Sequence, residues 1–181
     1  MSKKWKTETG LSRDEFEKFT VYLHQSDNDV DNRNRSRILG FDPEHVEIAP
    51  GACIRLSEDS IIGKNCFIGL FAYINGDVVI HDNVLIGPHC SITSNNHIFE
   101  TETKHFSGNK GEKIEVGEGT WVAAGCMITA GVTVGRANLI CANAVVTKDT
   151  PDYAIIAGTP ARQVGRINPE TGEYHWYPSK L

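Results

Sequence analysis

The chain has 181 residues, of which 40% are hydrophobic and 23% charged, so one folded domain is favoured over a disordered chain. The formal net charge of −5 argues against nucleic acid or an anionic membrane surface as the main partner. No apolar run reaches the ~18 residues of a membrane-spanning helix. The first ten residues contain no signal-peptide pattern, so we expect a cytoplasmic protein.

Residues 1–45 are predicted to form a helical and linker segment. Ser12 and Glu15 have the spacing of a capping box, which predicts a helix beginning there. The polar run 27–37 is predicted to be a linker or the end of a surface helix, with its charges in solvent.

Aliphatic residues recur at six-residue intervals through most of the remaining chain. They are Ile62, Ile68, Ile74, Ile80, Ile86 and Ile92, and then Val116, Val122, Ile128, Val134, Ile140 and Val146. This period matches neither the 3.6-residue period of a helix nor a simple hairpin meander. It predicts an all-β solenoid over residues 46–151, in which each six-residue unit is a short strand with a turn and three units complete a coil.

The five cysteines are odd in number and form no CxxC pair. Cys66, Cys90 and Cys126 fall four residues after an aliphatic, where small or β-branched side chains predominate. We therefore predict reduced, buried thiols that fill the coil interior, rather than disulfides or a zinc site.

The six-residue pattern lapses over residues 98–113 and resumes afterwards. Continuing it would put Lys104 and Lys110 in inward positions, and burying unpaired charge is costly. The segment is therefore predicted to be an excursion loop, and long loops in compact domains are often functional. Residues 152–181 are predicted to be an exit loop and tail.

The repeats Ile86–Ser91 and Val134–Leu139 resemble the hexapeptide signature of the left-handed parallel β-helix acyltransferases. The resemblance covers residues ~46–167 and implies the left-handed coil. It is strongest to the galactoside, maltose and nodulation-type O-acetyltransferases. From it we expect a homotrimer that binds its ligands between neighbouring prisms.

His97 is the candidate general base, because it stands where the excursion loop begins. An imidazole with a pKa near ~6.5 suits proton removal from an alcohol or amine. In the family that this chain resembles, a histidine at the matching place takes the proton of the acceptor hydroxyl, which attacks the acetyl-CoA thioester directly. His105 on the loop is the alternative base. No two histidines of the coil have the stacked spacing of a zinc site, so we predict no metal.

The most specific part of the resemblance is the segment Ala142–Asp149 followed by Tyr153–Arg162, and it implies an acetyl-CoA site. Small residues let the pantetheine arm approach the coil, and cations suit the CoA phosphates. Ala124 stands where the family usually has serine, which leaves a backbone N–H as the oxyanion donor there. The residues that the resemblance assigns to the donor are Trp121, Ala124, Ala142, Thr147, Lys148, Arg162 and Arg166.

The acceptor contacts map to Tyr73, Asn75 and Asp77. The predicted activity is acetyl transfer from acetyl-CoA to a hydroxyl of a sugar or similar small acceptor. One alternative is N-acetylation of a nucleotide-linked amino sugar. The others are a non-catalytic β-helix scaffold and a zinc hydratase.

Overall fold

The computed structural model describes residues 11–178 and has the predicted architecture, a left-handed parallel β-helix preceded by two short helices. The first ten residues, and with them the signal-peptide expectation, lie outside this described part. The helices are α1 (Arg13–His24) and α2 (Asp29–Ile38). The predicted capping box is confirmed, since the Ser12 hydroxyl accepts from the Glu15 N–H and the Glu15 carboxylate accepts from the Ser12 N–H. Neither helix is long and apolar enough to cross a membrane.

Strands follow the helices at short intervals. In chain order the described strands are β1 (Val46–Ile48), β2 (Cys53–Leu56), β3 (Ile61–Ile62), β4 (Cys66–Ile68), β5 (Tyr73–Gly76), β6 (Val78–Ile80), β7 (Leu85–Ile86), β8 (Ser91–Thr93), β9 (Asn95–Glu100), β10 (His105–Gly111), β11 (Ile114–Val116), β12 (Trp121–Val122), β13 (Met127–Ile128), β14 (Thr133–Val134), β15 (Leu139–Ile140), β16 (Val145–Val146), β17 (Ala154–Gly158), β18 (Ala161–Ile167) and β19 (Tyr174–Trp176).

The coil strands stack in parallel on three faces of a prism. The first face contains β1, β4, β7, β12, β15 and β17, the second contains β2, β5, β8, β13 and β16, and the third contains β3, β6, β11 and β14. Turns join the faces at three corners. The first corner, between faces one and two, comprises residues 49–52, 69–72, 87–90, 123–126 and 141–144. The second corner, between faces two and three, includes Asp77, Ser94, 129–132 and 147–150. The third corner comprises 63–65, 81–84, 117–120, 135–138 and 151–153.

The predicted inward positions form the core. Ile68, Ile86 and Ile140 are fully buried. Cys66, Cys90 and Cys126 are at most 3% exposed. All five cysteines are free thiols. Packing in the coil interior therefore explains Cys66, Cys90 and Cys126, as their spacing predicted.

One polar ladder interrupts the apolar interior at the third corner. The Asn138 side chain donates to the Thr150 hydroxyl at 2.6 Å and accepts from the Ala154 N–H at 2.7 Å. The Asn138 N–H donates to the Thr120 hydroxyl at 3.2 Å. Because the Asn138 side chain both donates and accepts a hydrogen bond, asparagine is tolerated in this buried position.

The segment 98–113 is more regular than a loop. β9 and β10 pair antiparallel as a hairpin that leaves the prism after β8, with a register shift between Ser107 and Lys110. Lys110 is exposed, in keeping with the argument that its charge excludes another coil.

The prediction for residues 152–181 needs correction. β17 pairs parallel with β15, with Ile155 beside Leu139, so the solenoid continues past residue 151. The chain then reverses, and β18 and β19 extend the first-face sheet antiparallel. The six-residue spacing ends at Val146, but the buried run Ala154–Ile156 is itself the pattern of a fully covered strand.

The solvated surface predicted for residues 27–37 is wrong at Asn32, Arg35 and Ser36, which are buried. The Arg35 guanidinium donates to the carbonyl oxygens of Tyr22 and Ile48, both at 2.8 Å. The polar composition of this segment did not predict the burial of Arg35, because its guanidinium is satisfied by backbone carbonyl oxygens inside the protein. Arg35 ties α1 and α2 to the first coil.

Candidate active site

His97 lies on β9, two residues after the chain leaves the prism. Its Nδ1 atom is 2.9 Å from the Gly108 carbonyl oxygen on β10. A carbonyl oxygen only accepts, so Nδ1 must carry the hydrogen. The Nε2 atom of the neutral ring then has a free lone pair. The imidazole is exposed, and its orientation is fixed by this bond.

Each complete coil of the prism is one rung. Asp77 lies at the second corner, one rung below the base of the hairpin. Its N–H donates to the Ser94 hydroxyl at 2.8 Å, and its carbonyl accepts from the Ile114 N–H at 3.0 Å. The Asp77 Oδ1 atom is buried and has no hydrogen-bond partner within residues 11–178. A buried carboxylate oxygen without a donor is costly unless a further group supplies one.

Asn75 and Tyr73 lie on β5, directly below β8, with Asn75 beside Thr93. Both side chains are partly buried. The chain reaches His97 four residues after Thr93, so the three predicted acceptor residues and the predicted base belong to the same side of the prism. Thr147 and Lys148 lie exposed at the same corner, farther along the coil.

Trp121 lies on the first face and is 48% exposed. Its register neighbours are Leu85 on the rung below and Leu139 on the rung above. Within one chain, therefore, Trp121 and His97 belong to different sides of the prism.

Ala124 and Ala142 are stacked on successive rungs at the first corner, where the Asn143 N–H donates to the Ala124 carbonyl at 2.9 Å. Both alanines are exposed. In the described part of the chain, neither alanine N–H donates a hydrogen bond. This corner thus offers two backbone donors beside methyl side chains.

The two arginines predicted for the donor phosphates are separated. The Thr159 hydroxyl donates to the Asn143 carbonyl at 3.2 Å, which puts the turn before Arg162 over the first corner. Arg166 lies at the opposite end of β18, beside Ala154. Four residues of strand span ~13 Å. Arg162 and Arg166 therefore do not lie together.

The sequence did not identify two residues that contact the candidate site residues. Ser94 is fully buried and joins the hairpin base to Asp77, and Gly108 supplies the acceptor for His97. Gly108 has φ +58°, a conformation that favours glycine, next to the register shift of the hairpin. The only sequence feature that pointed to Gly108 was a glycine among polar residues in a segment without the six-residue repeat.

The histidines of the coil are dispersed. His81 faces Glu115 on the third face at 4.0 Å, and His89 stacks on Phe71 at the first corner. His105 pairs with Glu100 at the outer end of the hairpin. Within residues 11–178, no three His, Cys, Asp or Glu side chains gather in a metal-binding group.

Comparison with known proteins gives the same class as the fold. Residues 59–94 match the bacterial transferase hexapeptide (six repeats) family. The chain is 29% identical over 140 residues to the galactoside O-acetyltransferase of Escherichia coli strain K12, covering 76% of this chain and 69% of that protein. It is 34% identical over 127 residues to nodulation protein L of Rhizobium meliloti, covering 66% of this chain and 69% of that protein.

Among solved structures, a maltose O-acetyltransferase from Clostridium difficile 630 superposes with a TM-score of 0.63 at 23% identity, covering 86% of each chain. The fold and the repeats define a left-handed β-helix of the hexapeptide type. The chain belongs to the hexapeptide-repeat acyltransferase family, in the branch of the galactoside and nodulation-type acetyltransferases. It is an acetyltransferase, so the scaffold and hydratase alternatives are set aside.

Proposed function

We propose that the protein transfers an acetyl group from acetyl-CoA to a sugar hydroxyl, with His97 as general base. The observation that carries the proposal is the hydrogen bond from His97 Nδ1 to the Gly108 carbonyl at 2.9 Å. It leaves Nε2 as the atom that accepts the acceptor's proton. Relatives named as galactoside O-acetyltransferases support a sugar acceptor.

The reaction is a direct displacement. The acceptor hydroxyl gives its proton to His97 Nε2 while its oxygen bonds to the thioester carbonyl carbon, forming a tetrahedral intermediate. The intermediate collapses by breaking the carbon–sulfur bond, and the imidazolium returns the proton to the leaving CoA thiolate. The products are the acetylated sugar and CoA, with neutral His97 regenerated.

The two unused backbone donors at the first corner suit the donor substrate. The Ala124 N–H would stabilise the oxyanion of the intermediate, because a fixed donor aimed at developing charge lowers the barrier. The Ala142 N–H would hold an amide of the pantetheine arm. Arg162, exposed above the same corner, would meet a CoA phosphate.

The acceptor would bind at the second corner. Asp77 Oδ1 lacks a donor, and a sugar hydroxyl would supply one. Asn75 and Tyr73 offer further polar groups on the adjacent strand. The base and the acceptor residues thus share one side of the prism.

We further propose that the site is completed between copies in a homotrimer. His97 and Asp77 lie on the second-corner side, whereas Trp121, Ala124 and Ala142 lie on the first face and first corner. A neighbour that sets its first corner against this chain's hairpin would unite the two sets. A repeated contact between unlike edges of a triangular prism closes as a ring of three. Five free cysteines are in keeping with a cytoplasmic setting.

The test is acetyl transfer by His97→Ala, with His105→Ala as the matched control. Loss of the base should lower kcat by ~10²-fold or more while the fold is retained, and His105→Ala should stay near wild type. An unchanged rate in His97→Ala would refute the base. Comparing free sugars, glycosides and nucleotide-linked amino sugars as acceptors separates O-acetylation from N-acetylation.

A further inference from the structure

Three aromatic rings are stacked at the first corner. Phe71 lies between His89 on the next rung and His24 at the end of α1. The ring centroids are 5.4 Å apart for Phe71 and His89 and 6.0 Å apart for Phe71 and His24, with interplanar angles of 13° and 14°. These are the distances of stacked aromatic pairs. All three residues are exposed at the surface, Phe71 to 43%.

The backbone at Phe71 and His89 is left-handed, with φ of +53° and +57°. The two residues hold the same turn position on successive rungs, which Gly125 and Asn143 hold farther up the corner with φ of +72° and +59°. Glycine and asparagine adopt this conformation readily, whereas a bulky side chain is strained in it. Ala137 and Tyr153 hold the same conformation at the third corner, so the turn alone does not mark a site. What distinguishes the first corner is the pair of stacked aromatic side chains on successive rungs.

The stack lies in line with the proposed donor path. Ala142 and Ala124 occupy successive rungs above His89, and the Gly125 N–H donates to the Pro88 carbonyl at 2.9 Å, which joins the rung of Ala124 to that of His89. Because Gly125 has no side chain, its rung adds no ring to the stack. A pantetheine arm that descends past Ala142 and Ala124 therefore brings its thioester to the upper end of the stack.

We propose that His89 is a specificity-determining residue that binds the acceptor through the ring face turned away from Phe71, and that Phe71 positions it from the other side. We call the Phe71–His89 pair the platform. The inference rests on the proposed function and names its substrate class, a pyranoside that carries an aryl group or presents a C–H face. Exposed aromatic surface beside a site of convergent polar groups suits such a ligand. In the ring of three, this platform faces the partner's His97. His24 is a positioning residue, since it covers the far side of Phe71.

Asparagine is the substitution that the fold tolerates, because Asn143 already holds this backbone conformation. Phe71→Asn and His89→Asn should each raise KM for 4-nitrophenyl β-galactopyranoside by ~10-fold and leave KM for acetyl-CoA unchanged. The matched control is Ala137→Asn, at the same turn position of the third corner with φ +49°, which should leave both constants unchanged. Neither asparagine variant should have a lower melting temperature than wild type.

A binding measurement separates this inference from the proposed function. Calorimetric titration of the nitrophenyl glycoside into His97→Ala should show binding that weakens ~10-fold when Phe71→Asn or His89→Asn is added. Equal affinity with and without the asparagine substitutions, or no binding at all, overturns the platform. Intact, platform-dependent binding with no acetyl transfer by the wild-type protein supports the platform and overturns the proposed reaction.

Discussion

The Nδ1 atom of His97 lies 2.9 Å from the carbonyl oxygen of Gly108, across a hairpin that leaves the coil and returns to it. The two residues are eleven positions apart, and the register shift of the hairpin brings them together. The proposed base and the group that fixes its tautomer therefore belong to one excursion.

Gly108→Ala should reduce turnover without unfolding the protein. An L-residue at φ +58° is strained by about 1 kcal/mol, and relief of that strain would turn the carbonyl away from His97. We expect kcat to fall ~10-fold while KM for acetyl-CoA is unchanged, because small displacements of a catalytic group are costly. Gly172→Ala is the matched control, with φ +73° and no atom within 4 Å of the added methyl. If both variants keep wild-type kcat, the bond does not orient the base.

Mixing two inactive variants should restore activity if the site is shared between copies. His97→Ala removes the proposed base, and Ala142→Trp places a bulky side chain at the first corner. After denaturation and refolding together, random trimers should regain ~25% of wild-type activity, because one site in four receives both intact sides. Each variant refolded alone provides the baseline. Activity that stays at that baseline would mean that each chain builds its own site.

The fold was largely predictable because each coil of the solenoid is specified by a short sequence repeat. Each six-residue unit repeats the same inward aliphatic and small slot, so Ile68, Cys90 and Ile140 could be assigned to the core without any knowledge of distant contacts. The prediction failed where the chain departs from that repeat. β17 continues the stack although the six-residue spacing has ended. Arg35 donates to backbone carbonyl oxygens, and the sequence does not identify which carbonyls lie near it.

The candidate site was less predictable for a geometric reason. The position of His97 at the start of an excursion follows from the lapse of the repeat. Its partner Gly108 depends on a bulge in an antiparallel pairing, which no periodicity predicts. The separation of Arg162 from Arg166 depends on the reversal of the chain at β18.

Asn138→Ala should destabilise the solenoid markedly. It would leave the Ala154 N–H, which bonds to the side chain at 2.7 Å, buried without an acceptor. The lost partner and the cavity together should cost about 2–3 kcal/mol in free energy of unfolding. Urea denaturation at a fixed protein concentration measures this. Asn34→Ala, which removes only an exposed bond from Arg37, should change stability by less than about 0.5 kcal/mol; equal losses in the two variants would contradict a structural role for the ladder.

The buried thiols should make the protein less stable at alkaline pH. Burial raises the pKa of Cys66, and contact with the Cys90 thiol together with burial raises the pKa of Cys126. These thiols keep their protons in the folded state, whereas in the unfolded chain they ionise near ~8.5. Their contribution is therefore complete below that pH and is lost as pH rises above it. Each proton sets a slope of at most ~1.4 kcal/mol per pH unit.

Unfolding in urea from pH 7 to pH 10 under reducing conditions measures this slope. Cys66→Val is the informative variant, because Val84 fills the corresponding buried position on the next rung. It should fold normally and flatten the decline in stability above pH 8.5. A decline as steep as that of the wild type would assign the alkaline loss to other groups.

The reversal of the chain after β17 also governs how copies can meet. A parallel stack presents unpaired backbone groups at each end, which invites addition of further coils. Here α2 packs against β1, with Arg33 paired to Glu47 at 3.2 Å, and the opposite end terminates in β19, three residues long and followed by Pro178. With both ends of the first-face sheet blunted, addition of a further coil to this sheet is disfavoured, and association is directed to the sides of the prism, where the residues proposed for acetyl transfer lie.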